Sequence, residues 1–196
     1  MKRRAFDRIT STVGLLLAAI LFVGGGLLTW GGTFANNQVK DQLAAQKITL
    51  PSVTHNAAES ASVTAFFKAN GGKMMTTGKQ AQMYADHYIA FHLQGIGAGK
   101  VYSELSGEEM ALKAKLAADP KNAALAAQVA ALDGQVNTVF TGESLRGMLL
   151  NAYAFWQLGQ IAMIASWVTY IGGLLFLFLA RMGFAHSRRT SEDDAI

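Results

Sequence analysis

The chain has 196 residues, 51% hydrophobic and 15% charged, with no cysteine, two prolines and a formal net charge of +4. The charges are segregated: 31 residues between Arg8 and Lys40, and 34 between Arg146 and Arg181, contain no Asp, Glu, Lys or Arg. This excludes a single soluble core of the whole length, a disordered chain and a disulfide scaffold.

Residues 1–8, with Lys2, Arg3, Arg4 and Arg8, read as a short cytoplasmic N-terminus. Residues 9–30 come next as a first transmembrane helix. Its apolar body begins at Val13 and ends at Trp30, and a hydrocarbon core of about 30 Å needs about 20 helical residues. Trp30 then falls at the outer headgroup level, where indoles are favoured. A cleaved signal peptide competes, with a basic start and Thr33-Phe34-Ala35 as a loose small-x-small site. The apolar stretch exceeds a signal core of about 7–15 residues, which favours a retained anchor.

Residues 31–160 are expected to form an extracytoplasmic helical domain that includes projecting ends of both membrane helices. The first helix continues through Ala35, Val39 and Leu43, an i, i+4 stripe facing something apolar. Thr49 to Ser62, with Pro51, reads as a loop, and Gly71-Gly72 and Gly78 punctuate the next segment. Thr77 with Gln80 forms a capping box that opens a helix to about Gln94, with Ala81, Tyr84, Tyr88 and Phe91 on one face. Gly95, Gly97 and Gly99 end it. A second box, Ser106 with Glu109, opens a helix to about Ala118 with Leu105, Leu112 and Leu116 as its stripe. Asp119-Pro120 breaks that helix and starts the next, whose Leu125, Val129, Leu132, Val136 and Val139 keep the 4-3 spacing of a helical hairpin seam. No period-2 strand is visible.

A helix from Ser144 to Arg181 would be about 55 Å long, so about five turns project beyond the bilayer. Counting back about 20 residues from Arg181 places the second transmembrane helix at 161–180. Residues 181–196 form a cytoplasmic tail with Arg181, Arg188 and Arg189, then Glu192, Asp193 and Asp194. Both basic flanks predict cytoplasmic termini, and the nearly neutral loop between Lys40 and Arg146 predicts a translocated domain. The sequence pI of 9.4 is thus a topology signal, and no nucleic-acid partner is expected. Arg188-Arg189-Thr190-Ser191 fits a basophilic phosphorylation pattern, but stop-transfer positives followed by a solvated acidic end explain it without one.

Few side chains suggest chemistry. His87 and His92 are five apart, about 140° around an α-helix, so they do not share a metal as an i, i+4 pair would. Packing explains them: His92 at an edge with Ala85 and Ile89, His87 toward polar surface. Gly95 to Lys100 lacks the strand and Ser/Thr of a P-loop and reads as a helix end. Glu108-Glu109 reads as a pair of carboxylates at a helix start. Gly14, Ala18 and Gly25 share a face of the first span, and Ala165, Thr169 and Gly172-Gly173 share one in the second. Small residues at four-residue spacing let helices approach closely, either each other or another subunit. Arg146, at the start of a long apolar run, is a candidate for an interface or headgroup contact, with an ordinary boundary charge as the alternative.

Several strings together look familiar: Leu28-Thr29-Trp30-Gly31, Phe34-Ala35-Asn36, Gln42-Leu43 with Gln46-Lys47-Ile48, Gln80-Ala81 with Tyr84-Ala85-Asp86-His87, and Leu145 to Tyr153. From span to span the chain resembles uncharacterised actinobacterial two-span membrane proteins, some of which carry an aromatic ring-opening dioxygenase label. The resemblance implies a bacterial plasma-membrane topology. A non-haem iron site of that enzyme type needs two histidines and a carboxylate converging, and the spacing of His55, His87 and His92 suggests no such site.

The expected fold is therefore all-α, an integral membrane protein with two transmembrane helices and a small helical extracytoplasmic domain containing an α-hairpin. The expected function is non-catalytic, as an accessory or structural subunit of a membrane or envelope complex. No cofactor is expected; the partners are the lipid bilayer and another protein or a second copy. An extracytoplasmic small-molecule sensor is the alternative class. An enzyme is a third, for which His87, His92, Asp86 and Glu104 are the only plausible sources of chemistry.

Overall fold

The computed structural model describes residues 3–189; Lys2 and the tail positions Thr190, Ser191, Glu192, Asp193 and Asp194 lie outside the described residues. Six α-helices and one π-helical turn come in the order α1 (Arg3–Ala45), α2 (Ala61–Asn70), α3 (Gly78–Met83), the π-turn (Tyr84–Ile89), α4 (Ala90–Ile96), α5 (Tyr102–Ala118) and α6 (Ala123–Arg189). The described residues hold no strand; one antiparallel bridge joins Thr49 and Met74. The chain divides into two compact units, Met1–Asn37 with Gln157–Ile196, and Gln38–Trp156. Helices α1 and α6 contribute to both.

Two helices are long and apolar enough to cross a membrane. At 43 and 67 residues, α1 and α6 far exceed the roughly 20 that a bilayer core requires. Only 11% of the most apolar window of each is buried, whereas a core helix of a soluble protein would be mostly covered. The large side chains Leu16, Ile20, Val23, Leu27, Trp30, Trp167, Val168 and Ile171 all face outward.

The second unit buries a core of large apolar side chains. One core holds Val39 and Leu43 from α1, Phe67 from α2, Ala81 and Met83 from α3, Ile89 from the π-turn, Leu93 from α4 and Leu149 from α6, with Leu50 and Met75 from the connections. The expected continuation of the first helix through Val39 and Leu43 is present, and those two side chains close this core. The Thr77–Gln80 capping box is also present: the Gln80 amide donates to Thr77 Oγ1 at 3.2 Å, and Gln80 Oε1 accepts from the Thr77 amide at 3.1 Å. Leu105 of α5 is buried with Val136 and Val139 of α6, and Lys113 reaches Asp133 at 3.0 Å.

Three local features differ from the expected pattern. Ser60 caps α2, a helix that the sequence periodicity does not reveal, whose Phe67 is fully buried. Helix α5 begins a turn earlier than Ser106, because the Glu104 carboxylate accepts from the Val101 amide at 2.9 Å and so ends the loop there. Glu109 consequently lies within the helix, buried beside Lys113, while Glu108 pairs with Lys100 at 2.7 Å. The Gly95–Gly99 segment is a helix end, as expected: the Gly97 amide returns to Leu93 O at 2.8 Å, and Gly99 adopts φ +82°.

Candidate functional site: a small-residue seam and a π-helical face

In the first unit α1 and α6 run antiparallel and meet along one seam. Among its described residues the buried positions are Ser11, Ala18, Gly25, Gly32, Gly159, Ser166, Gly173, Ala180 and Ser187, every one glycine, alanine or serine. They recur every seven residues on both helices. A strict seven-residue repeat keeps a seam facing its partner, with a left-handed supercoil. The fit demands small side chains. A Cβ at Gly25 would lie 2.7 Å from Thr169 Oγ1, and one at Gly32 would lie 2.9 Å from Gly159 O. Polar links punctuate the seam: Thr29 Oγ1 lies 3.1 Å from the Tyr170 hydroxyl, and Gln160 Nε2 donates to Asn36 Oδ1 at 3.0 Å.

The expected packing residues fall largely here. Gly14 faces Ala180, Ala18 is buried, Gly25 faces Thr169, and Gly172 faces Leu21. Ala165 is only half-buried, next to the buried Ser166. The four-residue spacing picks part of the face; Ser11, Gly32, Gly159, Ser166 and Ser187 belong to it too and keep the seven-residue spacing instead. That repeat is visible in the sequence once serine is counted with glycine and alanine.

In the second unit the π-turn Tyr84–Ile89 changes the geometry expected of an α-helix. Its i→i+5 bonding shifts the register within Tyr84–Ile89, which holds His87, while His92 lies beyond it in α4. The two histidines still have different partners. His87 Nδ1 lies 3.1 Å from both oxygens of Glu59, a carboxylate only 11% exposed. His92 is exposed rather than packed at an edge with Ala85 and Ile89. Its Nδ1–H donates to Tyr88 O at 2.7 Å, and its ring lies against Tyr88 and His55.

Arg146 locks the π-turn from α6. Its Nε donates to Ala85 O at 3.1 Å, the carbonyl that also accepts the Ala90 amide, and its guanidinium meets Glu143 at 2.8 Å and Asp86 at 3.7 Å. A fork of donors suits one carbonyl and two carboxylates at once. Tyr84 stacks on Tyr88, with ring centroids 5.0 Å apart. Burial, and then the neighbouring Tyr88, raise the Tyr84 phenol above its usual range. Glu104, far along the chain, serves the α5 cap. Among the described residues no three His, Cys, Asp or Glu side chains are placed to hold a metal ion.

No protein-family model, curated protein or solved structure matches the chain.

Proposed function

We propose that this chain is a non-catalytic accessory or structural subunit of a bacterial membrane or envelope complex, held by two transmembrane helices. In this reading both termini are cytoplasmic, and the Gln38–Trp156 unit is extracytoplasmic, with α5 and the start of α6 as its α-hairpin. The observation that carries it is where the chemistry-bearing side chains commit their polar atoms. Arg146 ties Ala85, Asp86 and Glu143; His87 meets Glu59; Glu104 caps α5. Arg146 and His87 fasten distant parts of the fold together and Glu104 closes a helix start, as a scaffold requires, while His92 stays exposed. The unit also exposes Val101, Tyr102 and Phe140, the two rings 5.3 Å apart, an apolar patch suited to a protein partner.

Extraction from native membranes in mild detergent tests the subunit role. The expected product is a particle well above the 20.9 kDa chain mass, with reproducible cross-links from a photoreactive residue at Phe140. Recovery of the monomer alone rejects it. Topology has its own test, because the chain is free of cysteine. A membrane-impermeant maleimide should label Lys79→Cys and Lys121→Cys in intact cells, and Arg8→Cys and Arg189→Cys only after lysis.

A further inference from the structure

We infer that the first unit carries a binding site for one anionic phospholipid, between the end of α6 and the flank of α1. A groove of about 500 Å³ lies there, with Leu15, Leu177, Ala180 and Phe184 along its wall and Arg181 and Arg188 at its rim. The two arginines are seven residues apart, so they share one face of α6, roughly 10 Å apart along the axis. Helical side chains lean toward the helix N-terminus, which turns both guanidiniums from their Cα positions toward the level of Leu177 and Ala180. Both guanidiniums thus border the same apolar groove. Among the described residues neither forms an ion pair, and no acidic side chain lines the groove. Guanidinium forks match phosphate oxygens, and the apolar wall matches an acyl chain. The charge selects the headgroup and the groove fixes the lipid in place. A zwitterionic lipid offers the same chain with a cation beside its phosphate, which the arginines disfavour.

This rests on the membrane-anchored reading above, and its test separates the two. The full chain, purified in mild detergent, is exposed to equal amounts of phosphatidylglycerol and phosphatidylcholine and examined by native mass spectrometry. Bound phosphatidylglycerol should exceed phosphatidylcholine at least tenfold, and Arg181→Gln with Arg188→Gln should abolish that preference. Leu177→Trp, which fills the groove and keeps both arginines, should also lower occupancy several-fold. Excess inorganic phosphate should displace none of the lipid. Equal retention of both lipids overturns the site, as does an undiminished preference in the double variant, undiminished occupancy in Leu177→Trp, or displacement by phosphate. Alkaline carbonate washing of membranes should leave the wild type and the double variant in the pellet. Release of the wild type overturns the anchor and the lipid site together; retention without headgroup preference overturns the lipid site alone.

Discussion

In Gln38–Trp156 the largest fully buried side chains include Phe67, Leu43, Leu50, Met75 and Leu149, beside small ones such as Ala81 and Ala85; in the other unit, among its described residues, the buried positions hold only glycine, alanine and serine. Both units are helical, so the difference lies in what drives helices together. Water expels large apolar side chains, and a helix gains most by burying them. Hydrocarbon exerts no such force, so helices there gain by close backbone approach and dispersion, which small residues permit. The large side chains of α1 and α6, among them Trp30 and Trp167, then stay outside at no cost. On the membrane-anchored reading one sequence obeys two opposite rules, and the change from small to large buried side chains falls within α1 between Gly32 and Val39. The seven-residue repeat that places glycine at 25 and 32 places valine at 39, where burial begins to favour bulk.

The largest expected effect breaks or upholds this contrast directly. Phe67→Ala empties a fully enclosed position and should destabilise the Gln38–Trp156 unit by about 3–5 kcal/mol. Leu16→Ala removes a comparable apolar side chain that is 59% exposed, and should change detergent-phase stability by less than about 0.5 kcal/mol. Chemical denaturation of the full chain in detergent measures both; similar losses would erase the distinction. Next comes the seam. Gly25→Leu forces a side chain against Thr169 and Tyr170, an overpacking cost of about 1–3 kcal/mol, whereas Gly24→Leu points into open space. The readout is a disulfide: a Cβ at Gly14 would lie 3.4 Å from Ala180 Cβ, close to disulfide geometry, so Gly14→Cys with Ala180→Cys should oxidise readily. Gly25→Leu should suppress that cross-link, and Gly24→Leu should leave it intact.

How much the sequence discloses depends on how local each feature is. The apolar tracts, the Thr77–Gln80 box and the Val39–Leu43 stripe are encoded within a few residues, and all are present. Helix α2 escapes notice because it is ten residues long, and its Val63, Thr64, Phe66 and Phe67 are weak helix formers that tertiary burial holds in place. The π-turn has no local signature; the side chain that binds its Ala85 carbonyl is Arg146, 61 positions away. The Glu59–His87 pair likewise joins a loop to a helix 28 positions on. The seam is a different case, since its repeat is written in the sequence but at seven-residue rather than four-residue spacing.

Arg146 tests whether the Gln38–Trp156 unit depends on such distant ties. Arg146→Met keeps much of the stem and removes the donors. Ala85 O retains its bond from the Ala90 amide, so the expected loss is modest, about 1 kcal/mol. Hydrogen exchange should localise it, with faster exchange across Tyr84–Ala90 and unchanged protection in the α1–α6 seam. Acceleration spread evenly over both units would mean that Arg146 supports the whole chain and does not specifically lock the π-turn. Arg146→Lys should not restore protection, because an ammonium cannot span a carbonyl and two carboxylates in one plane.

The smallest effect concerns Tyr84, and it too belongs to one unit alone. Burial and the neighbouring Tyr88 raise its phenol above the ordinary value of 10.0, so the folded unit holds that proton more tightly than the unfolded chain does. The sign comes from proton linkage: this contribution is complete below the unfolded value and is lost as pH rises through the higher folded value. Tyr84→Phe keeps the stack on Tyr88 and removes the ionisation. Wild type and variant should therefore run parallel through neutral pH and part only above about pH 10, with the wild type losing stability more steeply. Because Tyr84 is only half-buried, solvent screening keeps the difference small. Tyrosinate absorbance should show one fewer late-titrating phenol in Tyr84→Phe. If the two proteins lose stability identically above pH 10, the environment of Tyr84 is as wet as the unfolded chain, and the packing of the π-turn against its neighbours is looser than its geometry implies.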